Sequence, residues 1–145
     1  MGRSWGSYRC HFNYGFRLNL TIVVFALLTY QLNNHVLKGT FSSTFISNYF
    51  NDMLGGLLIV AFTNMMASTQ MEWRLYLKSV RAIIVFSGLA GVYWEYVAPL
   101  YVEESISDPY DVLAYIAGGL AYWLMIGCVA YLKLIHKQNI GCEGQ

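Results

Sequence analysis

Charge is scarce in this chain of 145 residues. Asp, Glu, Lys and Arg together make up 12% of it, whereas soluble globular domains carry about 25% charged residues. Hydrophobic residues make up 57%, which is typical of a membrane protein. The formal net charge is +1, a surplus too small to attract nucleic acid or another polyanion. We therefore expect a membrane protein with no nucleic-acid partner.

Motifs of metal and nucleophile chemistry are also missing. Cys10, Cys128 and Cys142 form no CxxC pair and match no metal-ligand spacing. The three histidines belong to no HExxH or ExxH motif, and the chain has no GxSxG sequence and no phosphate-binding loop. The sequence therefore predicts neither a structural disulfide nor a motif-based catalytic centre.

Four apolar segments, by contrast, approach membrane-spanning length. A helix crosses a hydrocarbon core of about 30 Å with about 20 residues, at about 1.5 Å each. The third and fourth segments are long enough, and the first two need flanking polar residues. The segments cover residues 18–32, 53–68, 82–102 and 112–132. We predict an all-α membrane protein, a four-transmembrane-helix bundle that forms one domain over residues 18–135.

The basic residues predict the orientation of this bundle. Positively charged loops and tails favour the cytoplasmic side of a membrane. In the predicted topology only Lys38 lies on the opposite side from the other eight basic residues, which are Arg3, Arg9, Arg17, Arg74, Lys78, Arg81, Lys133 and Lys137. We therefore expect a bacterial cytoplasmic (inner) membrane protein with cytoplasmic tails, a basic one over residues 1–17 and a second one over residues 136–145.

The acidic residues are distributed in the opposite way. Glu72 and Glu143 fall on the predicted cytoplasmic side. The other six lie at or near the predicted outer face, and they are Asp52, Glu95, Glu103, Glu104, Asp108 and Asp111. Lys38 is the one certain cation there, with His35 as an optional second one, so this outer face is predicted to carry an unneutralised negative charge.

Asp108, Pro109 and Asp111 have the spacing of a helix start. An N-cap Asp accepts a backbone hydrogen bond, proline suits the first helical position, and an acid in the first turn lies at the positive end of the helix dipole. We expect capping to be the main role of Asp108. Asp111 stays open between capping and chemistry, because its helical face continues through Ala114 and Gly118, and such small residues let another helix approach closely.

Glu95 has no such capping explanation. It lies inside an apolar segment, about six residues or 9 Å from the outer end. A carboxylate at this depth is costly and is therefore a candidate functional group, although a glutamate that only ties helices together is the alternative. Asp52 similarly lies one turn before Gly55 and Gly56. If the glycine-bearing faces are the helix contacts, Asp52, Glu95 and Asp111 converge on one outward-facing pocket.

Closely spaced carboxylates repel one another, which would either raise some of their pKa values or recruit a cation. The sequence leaves three ligands open: a divalent metal ion, a proton or a cationic head group. A divalent cation at the acidic cluster is the one cofactor that these residues suggest.

Two stretches resemble a known family. Residues 93–123 place a glutamate near the end of one span, an Asp-x-x-Asp pair after a short loop, and a Gly-Gly pair in the next span. This arrangement is similar to that of the VanZ-like family of small bacterial membrane proteins, and residues 48–62 resemble the polar-headed earlier span of that family. The resemblance implies a cell-envelope context and an association with low-level resistance to the glycopeptide antibiotic teicoplanin. It also carries over Glu95, Asp108 and Asp111 and, more weakly, Asn51 and Asp52 as the family's polar positions. These five are the predicted ligand-binding residues.

Three functions follow from these observations. The leading hypothesis is a non-catalytic envelope or antibiotic-resistance factor that binds a ligand or partner through the acidic pocket. Its partners would be the lipid bilayer together with a lipid-linked envelope precursor, another membrane protein or further copies of the chain. The alternative is a small ion-coupled transporter or carrier subunit. A weaker hypothesis is an intramembrane enzyme that uses Glu95 and Asp111 as an acid–base pair.

Reporter fusions test the predicted orientation. Alkaline phosphatase inserted in either predicted external loop is expected to be active, because its disulfides form only outside the cytoplasm. Green fluorescent protein fused at the C-terminus should fluoresce and serves as the cytoplasmic control. An inactive phosphatase in either loop, with the fusion present at normal abundance, would overturn the predicted topology.

Overall fold

The computed structural model describes residues 5–38, 45–69, 76–101 and 108–142, and every regular element in these ranges is helical. This confirms the all-α class for the described part of the chain. The α-helices are α1 (Trp5–Leu32), α2 (Phe50–Thr69), α3 (Val80–Val92) and α4 (Pro109–Cys142).

Three π-helical segments extend these helices. π1 (Asn33–Leu37) continues α1, π2 (Phe45–Tyr49) leads into α2, and π3 (Tyr93–Val97) continues α3. A short 3₁₀ turn over Ala98–Leu100 completes the third helical stretch. Such wider helical turns are rare in proteins overall, but those that occur are often found at functional sites.

Four helical stretches are long and apolar enough to cross a membrane, as the sequence predicts. They cover Tyr14–Leu37, Phe50–Thr69, Val80–Leu100 and Pro109–Lys133. The first is longer than the predicted 18–32, because the helix continues through polar residues on both sides. A continuous helix pairs its backbone groups internally, which a membrane-spanning segment requires. Helices also enter both predicted tails, since α1 begins at Trp5 and α4 ends at Cys142.

The two ends of the bundle differ in charge. We call the end that holds Asp52, Glu95, Asp108 and Asp111 the acidic end. The opposite end holds Arg17, Lys78, Arg81 and Lys133, and we call it the basic end. At the basic end the Lys133 ammonium lies 2.9 Å from the centroid of the Tyr14 ring, so α4 meets α1 there. Glu103 and Glu104 lie outside the described residues.

Helices α2 and α4 form the centre of the bundle. α2 packs along both α1 and α4, and α4 also packs along α3. The buried core that they share consists of Ile22, Val23, Ala26, Leu57, Val60, Ala61, Ile83 and Tyr122.

Glycines allow the central helices to touch through their backbones. Gly56 of α2 faces the backbone carbonyl of Tyr115, and Gly118 of α4 faces the backbone carbonyl of Met53, with no room for a methyl group at either glycine. Gly91 of α3 similarly lies close to α4, because a Cβ added at Gly91 would lie 3.0 Å from the Cα of Val112. The glycine-bearing faces are therefore helix contacts, as the small-residue spacing indicates.

A buried network of hydrogen-bonded polar side chains lies in the basic half of the core. The Asn64 amide donates to the Tyr122 hydroxyl at 2.8 Å, and that hydroxyl donates to Asn19 Oδ1 at 2.6 Å. Asn64 also exchanges hydrogen bonds with the backbone of Leu77, which precedes α3. The network satisfies polar groups that would be costly in hydrocarbon, and it links all four helical stretches.

The glycine contacts lead to a stability prediction. Gly118→Ala should destabilise the protein by about 1–3 kcal/mol, because the new methyl group forces α2 and α4 apart. Gly127→Ala is the matched control, since nothing lies within 4 Å of a Cβ placed there, and its cost should be near zero. Thermal unfolding in detergent measures both, and equal midpoints for the two variants would contradict the close contact.

Candidate functional site

Glu95 links the third and fourth helical stretches. Its side chain is only 8% exposed, and its carboxylate Oε2 accepts a hydrogen bond of 3.0 Å from the backbone N–H of Asp108. That N–H belongs to the residue before α4, where no helical carbonyl can accept it. This contact supports the alternative in which Glu95 ties helices together.

Asp108 caps α4, which confirms the expectation from its spacing. Its Oδ1 accepts a hydrogen bond of 2.9 Å from the backbone N–H of Tyr110, and its Oδ2 accepts one of 3.3 Å from the Tyr49 hydroxyl of π2. Partial burial and the neighbouring Asp108 carboxylate raise the pKa of Tyr49. Asp108 therefore joins the start of α4 to the segment before α2.

The structure brings Asp52, Glu95 and Asp111 into electrostatic contact. The charge of Asp52 interacts with those of Asp111 and Glu95, and Asp111 interacts with Glu95 and Asp108. Asp52, Glu95 and Asp111 each come from a different helical stretch. Both Asp52 and Asp111 are half-buried. Because their charges repel one another, this region favours a positively charged ligand.

An asparagine cluster lies beside the acids. The Asn33 amide of π1 donates to Asn51 Oδ1 at 2.8 Å and to the Ile46 carbonyl at 3.1 Å, and the Asn51 amide donates to Asn34 Oδ1 at 2.9 Å. Asn33 is fully buried, and its Oδ1 has no hydrogen-bond partner. The cluster fixes π1 against π2 and α2. In the sequence, the neighbouring Asn33 and Asn34 at the end of the first apolar segment are the feature that could have indicated this cluster.

A cavity of about 460 Å³ opens at the acidic end. We call it the polar pocket. Asn48, Asn51 and Asp52 supply its polar wall, and Tyr30 of α1, Trp94 of π3 and Tyr115 of α4 supply aromatic walls. Of the five predicted ligand-binding residues, Asp52 and Asn51 line this pocket. Glu95, Asp108 and Asp111 do not line it, and they interact with one another and with Asp52 through charge or hydrogen bonds.

A second cavity of about 470 Å³ adjoins the polar pocket on the side of the membrane interior. We call it the apolar groove. The two cavities share five lining residues, which are Leu27, Gly55, Leu58, Trp94 and Tyr115. The groove adds Val23, Ile59 and Phe62, so its lining is almost wholly hydrocarbon and aromatic. Local sequence patterns do not predict the groove, because it forms from residues of all four helical stretches.

Among the described residues, no group of three or more His, Cys, Asp and Glu side chains is placed to hold a metal ion. The geometry therefore gives no support to the divalent cation that the acid cluster suggested.

Comparison with protein-family models, with curated proteins and with solved structures finds no match. The VanZ-like resemblance therefore remains a prediction from residues 48–62 and 93–123, and the site has to be interpreted from its own chemistry.

All three π-helical segments contribute to the site. π1 holds Asn33, π2 holds Asn48, and π3 holds Trp94 and Glu95. A π turn rotates the side chains that follow it relative to an α-helix, which brings polar residues from apolar segments to a common region. All three π-helical segments therefore contribute residues to the acidic end of the described bundle.

Substitution of Asp108 tests its capping role. Asp108→Ala should cost about 0.5–2 kcal/mol of stability, because the Tyr110 N–H loses its acceptor. Asp108→Asn should cost only a few tenths of a kcal/mol, since Asn caps helices as well as Asp does. Thermal unfolding in detergent distinguishes the two, and an equal loss in both variants would show that the charge, and not the cap, is what matters.

Proposed function

We propose that this chain is a non-catalytic, multi-pass protein of the bacterial cytoplasmic membrane that binds a ligand through the polar pocket. The observation that carries the proposal is the cavity of about 460 Å³ walled by Asp52 and Asn51. Pockets of this size, with few polar groups converging on an otherwise apolar lining, are typical of small-molecule sites.

The charges around Asp52 favour a cationic ligand group. Its carboxylate is half-buried at the wall of the pocket, and the charges of Asp111 and Glu95 act on it. Lys38 is a basic side chain whose charge reaches Asp52. A cation in the pocket would offset the repulsion among the three carboxylates. Binding is therefore a direct consequence of how the acids are placed.

The geometry favours binding over acid–base catalysis. Glu95 is occupied by the backbone N–H of Asp108, and neither Glu95 nor Asp111 lines the polar pocket. A general acid–base pair has to reach the same substrate atoms within hydrogen-bond distance. Glu95 and Asp111 do not meet this requirement for a ligand in the polar pocket.

The core also argues against transport through a single copy. Tyr122, Asn19 and Asn64 are almost completely buried and bonded to one another in the basic half. An ion that entered at the acidic end would have to break this network. A binding protein needs no such path.

Orientation and context complete the proposal. The basic end faces the cytoplasm under the positive-inside rule, so both termini are cytoplasmic and the polar pocket opens outward. The resemblance to the VanZ-like family suggests a cell-envelope role connected with teicoplanin resistance. A lipid-linked envelope precursor or a partner membrane protein, with or without further copies of this chain, would then reach the pocket from outside.

Replacement of Asp52 tests the proposal. When the chain is expressed in a teicoplanin-susceptible bacterium, the wild type should raise the inhibitory concentration of teicoplanin. Asp52→Asn should return it to the vector level, because it removes the charge with almost no change in shape. Asp52→Glu keeps the charge and should retain part of the effect.

Abundance in the membrane provides the control for this experiment. If Asp52→Asn lowers abundance in parallel with resistance, Asp52 is structural and the pocket proposal fails. If the variant keeps full resistance at normal abundance, the pocket does not carry the function. Uptake of labelled ions by proteoliposomes that depends on Asp52 would replace binding by the carrier alternative.

A further inference from the structure

The polar pocket and the apolar groove form one continuous site of graded polarity. Asp52 lies at its polar end and Phe62 at its apolar end, and both belong to α2. Ten residues of α-helix separate them, which corresponds to about 15 Å along the helix axis. This is about half of a hydrocarbon core of about 30 Å, so the site spans roughly one leaflet.

The site is open along its side. Three of its lining residues are well exposed, with exposed fractions of 47% for Leu27, 48% for Phe62 and 52% for Trp94. They come from α1, α2 and π3, within stretches that are apolar enough to span a membrane. In a bilayer this opening faces lipid, so a molecule can enter the groove sideways from the surrounding leaflet.

The polar end selects among amphiphiles by charge. A head group that occupies the pocket would meet the carboxylate of Asp52, with the charges of Asp111 and Glu95 acting on the same region. An ammonium group complements these charges, whereas a head group with only negative charge is repelled. The amides of Asn48 and Asn51 provide further polar contacts at the same wall.

We propose that the groove holds one acyl chain of a membrane phospholipid whose head group carries an ammonium group, placed beside Asp52. This inference rests on the proposed function, because it names the chemical class of the ligand of the same pocket. It follows from three features together: the graded polarity, the leaflet-long reach and the lateral opening.

Quenching of Trp94 by brominated lipids tests the proposal. Replacing Trp5, Trp73 and Trp123 by Phe leaves Trp94, which lines both parts of the site, as the single fluorophore. The protein is reconstituted in vesicles of unlabelled digalactosyldiacylglycerol, whose head group carries no charge and therefore does not compete for Asp52. Either phosphatidylethanolamine or phosphatidylglycerol with brominated acyl chains is then added in increasing mole fraction.

Brominated phosphatidylethanolamine is expected to quench Trp94 at a mole fraction about fivefold lower than brominated phosphatidylglycerol. An ion pair worth about 1 kcal/mol produces a preference of this size. Asp52→Asn should abolish the preference, because it removes the charge from the pocket wall. A chain with Trp123 as its single tryptophan is the matched reporter, since Trp123 is exposed and outside the site, and it should show no preference.

A second variant tests occupancy of the groove independently of charge. Leu58→Phe narrows the part that the two cavities share, so it should weaken quenching of Trp94 by both lipids. Leu124→Phe makes the same change at an exposed position of α4 and should have no effect. Near-equal circular dichroism and thermal midpoints establish that the variants are folded.

Two results would overturn the proposal. Equal quenching by the two lipids would show that Trp94 senses only the bulk bilayer. Weak quenching by both, together with disulfide crosslinking between copies through Leu27→Cys, would show that a second copy covers the groove. In either case, loss of teicoplanin resistance in Asp52→Asn at normal abundance would leave the binding function standing with a different ligand.

Discussion

The close approach of α2 and α4 is the constraint on which the site depends. Gly56 and Gly118 let the two backbones touch, and this contact places Asp52 and Asp111 at the same end of the bundle and at similar depth. With bulkier residues there, the helices would separate by the width of a side chain. The carboxylates would then lose their mutual interaction, and Tyr115 would no longer form a wall of the pocket.

The polar groups of the two ends have different consequences for the fold. In the basic half, Asn19, Asn64 and Tyr122 satisfy one another, and a satisfied network of this kind specifies one arrangement of helices. At the acidic end, Asn33 retains a buried oxygen without a partner, and the acids face one another without a basic side chain at hydrogen-bond distance among the described residues. The polar network of the basic half therefore specifies the helix arrangement, whereas the acidic end retains polar atoms that can still form hydrogen bonds.

The sequence predicts the parts of this structure that depend on local pattern. Apolar length predicts the four spans, and the order Asp108, Pro109, Asp111 predicts the start of α4, because a capping site depends on neighbouring residues alone. Small-residue spacing also indicates which faces meet. The π-helical segments were not predicted, since a widened turn depends on packing against other helices. For the same reason the partners of Glu95 and Asn33, and the groove lined by Trp94, could not be foreseen from hydropathy or spacing.

The glycine contact between α2 and α4 also has a mechanical consequence. Two helices that touch through their backbones cannot slide or separate without opening that contact. α2 and α4 therefore form a rigid pair, which we call the spine. α1 and π3, which carry Leu27 and Trp94 on the two rims of the groove, are attached to this spine through side chains. Rotamer changes at these rims can alter the width of the opening while the spine stays fixed. The width of the opening can thus change without repacking of the centre of the bundle.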